Sequence, residues 1–433
     1  MEQEPTEQPA DSEAVRLLPR TSDGVSALRA GPLWGVVLNL VLYMAAPMSM
    51  PATMKASGWV WGTLLLAYST GVTLQTGFLI GEIVQSSPHL DSFPALGEHC
   101  FRLLRPERED SVRWGKAGRR LCLVLQFATY YLDVTAQLLY VVQYLDQLSP
   151  VASGWPMCLW SWFLVVYVLC LPLNLMPNMS ESRFMALPCA LALALMLATF
   201  FAEIFGTRPW ACDPGPARAP PLPRSVFMSL SAWAYMFGGH GMYPEVIREM
   251  KDPGQWPRAL ALTYAVVVPM YAACGYLGYY AYGDFAYANI NLNFPDDVAN
   301  RVSIFVQMVV CWYLVAYSNL VLVMGLEQAR GLSFSRRDRA AAVQRFVLRA
   351  AFLASQVLVG LLLLNGQGDT LLALQSLAGA VGMTAFTYIL PFVFHWIVFG
   401  ARLSKARRAW YAVNVGIGVA ITLAGVVGAC ADL

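Results

Sequence analysis

Residues 237–245 read Phe237-Gly238-Gly239-His240-Gly241-Met242-Tyr243-Pro244-Glu245, and they interrupt an apolar segment of membrane-spanning length, 226–250. Relative to alanine, each glycine costs a helix interior about 1 kcal/mol and a proline about 3 kcal/mol, so no regular helix runs through this stretch. Inside a bilayer, opened backbone is tolerated only where protein buries it or where it lines a cavity. Helices broken in this way hold substrates and coupling ions in secondary transporters, so the stretch predicts a transporter.

Composition agrees. Hydrophobic residues make up 57% of the chain, charged residues 13%, and the mean hydropathy is +0.51, the profile of a polytopic membrane protein. A net charge of +2 points away from nucleic acid. Nine cysteines are scattered singly with no CxxC pair, which argues against a metal site or a disulfide framework. The polar stretch 1–30 reads as a disordered cytosolic tail, and with no apolar run it predicts no cleavable signal peptide.

Apolar runs of about 17 to 25 residues predict eleven spans, near 33–54, 59–84, 121–145, 155–175, 184–206, 226–250, 258–281, 302–327, 346–365, 370–398 and 408–430. Arginines and lysines crowd the loops after spans 2 and 8: Arg102, Arg105, Arg108, Arg113, Lys116, Arg119 and Arg120, then Arg330, Arg336, Arg337 and Arg339. The positive-inside rule then places the N-terminus in the cytosol and the C-terminus across the membrane. The Asn178-Met179-Ser180 sequon falls on the cytosolic side of that topology and is expected to stay unglycosylated. Glu82 and Glu203 lie near span ends, where solvated carboxylates are ordinary.

A second break is expected in span 1, where Met44-Ala45-Ala46-Pro47-Met48-Ser49-Met50-Pro51 sets two prolines among small residues. Paired breaks at the start of each half fit an inverted repeat, with 33–206 as the first repeat, 226–398 as the second and 408–430 as an extra helix within a transmembrane domain at 31–430. The competing reading is a pair of proline kinks in ordinary bundle helices.

These residues carry a resemblance. Met50-Pro51-Ala52-Thr53-Met54-Lys55-Ala56-Ser57-Gly58-Trp59 resembles the Leu-Pro-Tyr-Ala-Phe-Lys-x-x-Gly-Trp signature of the amino acid/auxin permease (amino acid transporter) family, within the amino acid-polyamine-organocation superfamily. Phe237 to Glu245 with Glu249-Met250-Lys251-Asp252-Pro253, and Tyr276 to Gly283 with Ile290 to Asn293, resemble its later signatures. The resemblance implies an all-α bacterial leucine transporter fold, a 5+5 inverted repeat with broken helices 1 and 6, and proton- or sodium-coupled movement of amino acids. One departure is visible: Met44 and Ala46 replace the family's small-x-small glycine pair, which leaves the substrate class open.

An unwound helix suits a zwitterion because free amides attract a carboxylate and free carbonyls accept from an ammonium. Substrate contacts are therefore expected at Ala45, Ala46, Met48 and Ser49, and at Phe237, Gly238, Gly239 and Gly241. In span 3, Gln126, Tyr130, Asp133, Gln137 and Tyr140 recur every three or four residues and form one helical face. An ionised carboxylate at the bilayer centre costs about 2.5 to 3.5 kcal/mol, so Asp133 must face the bundle or a wet cavity, as a protonation site or as a helix cross-link. His240 and Glu245 beside the break are further coupling candidates, against roles as a cap and a first-turn charge. Ser318 and Asn319 in span 8 are candidates for a cation. The coupling ion is expected to be H+, ahead of Na+, with no other cofactor.

In the tail, Glu13-Ala14-Val15-Arg16-Leu17-Leu18 fits an acidic dileucine signal read by cytosolic sorting adaptors, which points to the endosome or lysosome ahead of the plasma membrane. The basic loop before span 3 is expected either to lie on the anionic leaflet or simply to orient the chain. No HExxH, GxSxG or phosphate loop is present, so an enzyme is the weakest reading. The leading function is secondary active amino acid transport toward the cytosol, and the runner-up is a non-transporting nutrient-sensing receptor on the same fold.

Overall fold

The computed structural model describes residues 31–44, 46–87, 90, 92–104, 110–152, 158–175, 183–212, 215–329, 339–363 and 377–432. Ala45, the sequon at 178–180 and the tail signal at Glu13, Leu17 and Leu18 lie outside the described residues. The described residues form α1 (Leu33–Tyr43), α2 (Met50–Ser86), α3 (Phe93–Leu103), α4 (Ser111–Ala152), α5 (Leu159–Asn174), α6 (Arg183–Thr207), α7 (Pro223–Met236), α8 (Tyr243–Glu249), α9 (Trp256–Tyr282), α10 (Val298–Ala329), α11 (Arg339–Leu363), α12 (Leu390–Phe399) and α13 (Lys405–Asp432).

Among the described residues, eight stretches are long and apolar enough to cross a membrane. One of them, Leu33–Ser86, holds two spans, because Gly58 turns the chain inside α2 at φ 68° and ψ 179°. That positive φ is open to glycine and strained for other residues. Trp160–Asn174 is a shorter apolar helix, and span 6 escapes a length criterion because it is broken. Helix occupies most of the described part of each of the eleven predicted intervals, and spans 1 and 6 are interrupted.

Both predicted breaks are present. In span 1, α1 stops at Tyr43, Ala46 leaves the helical region at φ −122° and ψ 48°, and Pro47–Ser49 make a single 3-10 turn before α2. The cause is local: a residue before proline is pushed out of the α region, and proline has no N–H to continue the ladder. Pro51 then falls in the first turn of α2, where a missing N–H costs nothing. In span 6, α7 ends at Met236, Gly239 adopts φ 130°, His240–Met242 form a 3-10 turn, and α8 begins with Pro244 in its first turn.

The two broken spans lie antiparallel and are tied at three levels. The Gly31 amide donates to the Glu249 carbonyl at 3.0 Å and the Lys251 amide to the Gly31 carbonyl at 2.9 Å, joining the start of span 1 to the end of span 6. At the other end the Ser229 hydroxyl donates to the Thr53 carbonyl at 3.1 Å. Between them the two breaks meet. This is the arrangement that an inverted repeat gives its first helices.

Large apolar side chains such as Val60, Leu187, Val124 and Leu423 are exposed, as on a surface that meets lipid tails. Within the bundle, α10 and α11 are joined by a buried bidentate pair, Arg349 to Glu327 at 2.7 and 3.0 Å. The Arg349 guanidinium also donates to the Asn174 carbonyl at 3.1 Å, which brings α5 into the same tie. Span 10 is wound as π turns over Gly379–Met383 and Ala385–Ile389, and Gly382 abuts Thr129 of span 3 with no room for a Cβ. Such bulges concentrate at functional sites. The expectation of solvated carboxylates at span ends needs correction at Glu203, which is 7% exposed because it lies near Asp297 and Tyr282. Glu82 keeps an exposed side chain and takes His395 as a partner at 3.2 Å.

Candidate functional site

The breaks are joined by a side chain from a third helix. The Tyr271 hydroxyl on α9 reaches the Met44 carbonyl at the end of α1 and the Met236 carbonyl at the end of α7, the second at 3.0 Å. Both carbonyls belong to helix ends and have lost their place in a helical ladder; the Met44 carbonyl also accepts from the Ala46 amide at 3.0 Å, so the Tyr271 hydroxyl matters most to the Met236 carbonyl. Ser49 adds a weaker link: its hydroxyl donates to the Ala46 carbonyl at 3.1 Å and lies 3.7 Å from the Met236 sulfur. Of the expected span 1 contacts, Met48 and Ser49 are buried and Ala46 half-buried.

The glycine run of span 6 sits in an aromatic cage. A Cβ on Gly239 would lie 3.2 Å from the Tyr43 ring and 3.4 Å from the Tyr243 ring, and one on Gly241 would lie 2.8 Å from the Tyr130 hydroxyl. Gly238 presses on Met383 of the π segment. Phe237 is fully buried, stacked on Tyr264 with centroids 5.7 Å apart and edge-on to Tyr271 at 5.3 Å. Of the expected substrate residues, Ser49 thus lies against Met236, Gly239 against Tyr43 and Phe237 against Tyr271.

Asp133 looks into the bundle, 5% exposed. The Tyr235 hydroxyl donates to its Oδ1 at 2.7 Å and the Ser318 hydroxyl to its Oδ2 at 3.0 Å, while the Gln137 amide donates to the Tyr235 oxygen at 3.4 Å. One carboxyl therefore joins span 3, span 8 and the last turn of α7 before the break. Two hydroxyl donors suit a carboxylate; protonation leaves room for both but removes the charge that strengthens them, and gives the carboxyl a donor of its own.

The remaining coupling candidates do not converge on Asp133. The Asn319 amide forms a reciprocal pair with Gln356 of α11, at 2.9 and 2.8 Å. His240 is fully buried, with Nε2 2.8 Å from the Thr73 carbonyl of span 2 and its ring on Tyr243 at 4.5 Å. A carbonyl only accepts, so Nε2 carries the hydrogen and Nδ1, which has no hydrogen-bond partner among the described residues, is the bare nitrogen. Glu245 accepts from the Phe93 amide and the Gln126 amide, both at 3.3 Å, and Gln126 also donates to the Gly241 carbonyl at 2.9 Å. Gln126 thus links Glu245 to the Gly241 carbonyl of the break.

Tyr43, Tyr235, Tyr271 and Gln137 are the site groups that sequence reasoning left without a role. Gln137 was visible on the polar face of span 3, whereas tyrosines in apolar helices carry no pattern that separates them from core aromatics.

The profile described as "Transmembrane amino acid transporter protein" matches residues 33–431. Amino acid transporter AVT1E of Arabidopsis thaliana is 21% identical over 90% of this chain and 69% of its own length. AVT1B of the same plant is 23% identical over 72% of the chain, and the chain spans only 55% of that longer protein. GABA transporter 1, also of Arabidopsis thaliana, is 25% identical over 92% of the chain and 89% of its own length. Among solved structures, the inward-facing conformation of Mhp1 aligns with a TM-score of 0.57 at 14% identity, covering 93% of this chain and 90% of that one. A substrate-bound, outward-open Na+-coupled sialic acid symporter aligns with a TM-score of 0.50 at 13% identity over 95% and 92%. At such identities the structural likeness speaks to the fold alone. With a family match over almost its whole length, the chain is a multi-pass membrane protein that belongs to the transmembrane amino acid transporter family, built on the bacterial leucine transporter fold.

Proposed function

We propose that the protein is a secondary active amino acid transporter driven by protons, with substrate held between the breaks of spans 1 and 6 and the proton taken up at Asp133. The observation that carries this reading is the bonding of Asp133 to both Tyr235 and Ser318, since Tyr235 closes the half-helix that ends at the glycine break. Loss of a proton from Asp133 would draw in both hydroxyls and fix α7 against span 8; gain of a proton would weaken both contacts, because a neutral carboxyl accepts less strongly than a carboxylate. A charge change is thereby converted into freedom of the half-helix beside the substrate. Ser318 would serve Na+ in the same place, as the less favoured ion.

In this reading 33–206 and 226–398 are the two repeats and 408–430 the appended helix. Substrate moves toward the cytosol, the N-terminus is cytosolic, and the dileucine signal delivers the protein to endolysosomal membranes. Replacing Leu17 and Leu18 by alanine is expected to shift it to the cell surface by microscopy; an unchanged distribution would discard the signal. The second reading, a nutrient-sensing receptor that binds without turnover, draws on the Tyr271 bridge, which holds the two breaks shut against one another.

Uptake of radiolabelled amino acids into proteoliposomes, with and without an imposed pH gradient, tests the proposal. Wild-type protein should accumulate substrate only with the gradient, and Asp133→Asn, which keeps the shape but cannot bind and release a proton, should lower accumulation about tenfold or more while exchange persists. Accumulation by the Asn variant with unchanged pH dependence would remove Asp133 from coupling and direct attention to His240 or Glu245. Binding without uptake by wild-type protein would establish the sensor.

A further inference from the structure

Away from the breaks, α4 extends beyond its membrane-length stretch toward Ser111, and its first turns carry Arg113, Lys116 and Arg120. Spacings of three and four set these cations on one helical face. Together with Asp110, Val112 and Ala117 they line an open groove of about 550 Å³. Neighbouring cations are engaged otherwise: Arg102 and Arg119 both reach Glu98, at 2.5 and 3.3 Å. Among the described residues no carboxylate lies within ion-pair distance of Arg113, Lys116 or Arg120.

The same face continues down the helix as Leu123, Val124 and Phe127, all exposed apolar side chains, with Val124 at 67%. In a membrane protein such a strip meets acyl chains, and Trp114, exposed beside the groove, is the residue type that settles at headgroup depth. A basic groove directly above a lipid-facing strip has the form of a phospholipid, head over tails. Three cations exceed the single charge of a phosphodiester and suit additional phosphate monoesters, each of about −1.5 to −2. Asp110 at the rim can accept only from donors, and the hydroxyls of a polyol supply them.

We propose that the groove formed by Arg113, Lys116 and Arg120 binds a phospholipid whose polyol headgroup carries phosphate monoesters, with its acyl chains along Leu123, Val124 and Phe127. The site is separate from the broken helices, so it stands whether or not the transport reading does.

The test uses the full-length protein in neutral micelles containing phosphatidylcholine, with its thermal midpoint followed as phosphatidylinositol bisphosphate, phosphatidylserine at matched charge or soluble inositol trisphosphate is added. The bisphosphate lipid should raise the midpoint, half-saturating at a mole fraction about tenfold below that of phosphatidylserine, and the soluble headgroup should be about tenfold weaker than the lipid. Arg113→Gln with Lys116→Gln and Arg120→Gln should abolish the shift, Arg119→Gln should leave it intact, and Arg113→Lys with Arg120→Lys should hold half-saturation within about threefold. If the triple variant does not fold, each single glutamine variant should raise half-saturation about threefold. Equal potency of phosphatidylserine, equal potency of the soluble headgroup, or an unchanged response in the glutamine variants would overturn the proposal.

Discussion

The two breaks do the same work with different chemistry. Span 1 is opened by Pro47, which cannot continue the ladder, and the Met44 carbonyl is held by the Ala46 amide and a hydroxyl from α9. Span 6 is opened by glycine at a φ of 130°, and rings from Tyr43, Tyr243 and Phe386 crowd the exposed backbone. Proline removes a donor and so leaves a polar group to satisfy; glycine removes side-chain volume and so lets neighbours close in. The first break is thus governed by hydrogen bonding and the second by space.

That contrast predicts unequal sensitivity. Gly239→Leu should be the most damaging change: a side chain at this φ costs about 1 to 2 kcal/mol in backbone strain alone, and its Cβ meets Tyr43 and Tyr243 before any bulk beyond it is placed. Uptake should fall by about 100-fold or more, with a lower thermal midpoint, and Gly239→Ala should give a smaller loss of the same kind. Wild-type transport by the leucine variant would take the sixth-span break out of the site.

Next in size is Tyr271→Phe, which keeps the ring against Phe237 and removes the hydroxyl shared by Met44 and Met236. The Met44 carbonyl keeps the Ala46 amide, but leaving the buried Met236 carbonyl unsatisfied costs about 1 to 3 kcal/mol, to be read as a drop in thermal midpoint. The phenylalanine variant should also loosen the breaks and weaken coupled uptake. A midpoint equal to wild type would mean that the bridge contributes nothing to the stability of the fold.

The smallest effect is expected for Ser49→Ala. Its hydroxyl returns to the carbonyl of Ala46 three residues back, and the sulfur contact to Met236 is long, so the loss should stay near 0.5 to 1.5 kcal/mol and KM should change less than about threefold. A larger change in KM would place the Ser49 hydroxyl on the substrate and raise span 1 to equal standing with span 6.

The sequence by itself determined where the chain breaks and which face of span 3 turns inward. Both are short-range consequences: Pro47 and Gly239 act on their own backbone, and the three-four spacing through Asp133 follows from 3.6 residues per turn. Partner choice was not legible. Asp133 meets Tyr235 102 residues away and Ser318 185 residues away, and nothing local marks either as its donor. Ser318 and Asn319 look equivalent in the sequence, yet successive helical residues point about 100° apart, so one hydroxyl faces Asp133 and the neighbouring amide pairs with Gln356. His240, a coupling candidate by its place in the break, takes the Thr73 carbonyl as a partner because α2 passes beside it. Tyr271 was invisible for a similar reason: a tyrosine in an apolar helix becomes a brace only when two helix ends, created 192 residues apart at Met44 and Met236, are folded to within reach of one hydroxyl. Backbone propensity is a property of a few consecutive residues, whereas satisfying a buried polar group depends on which distant helix packs against it, and only the tertiary structure decides that.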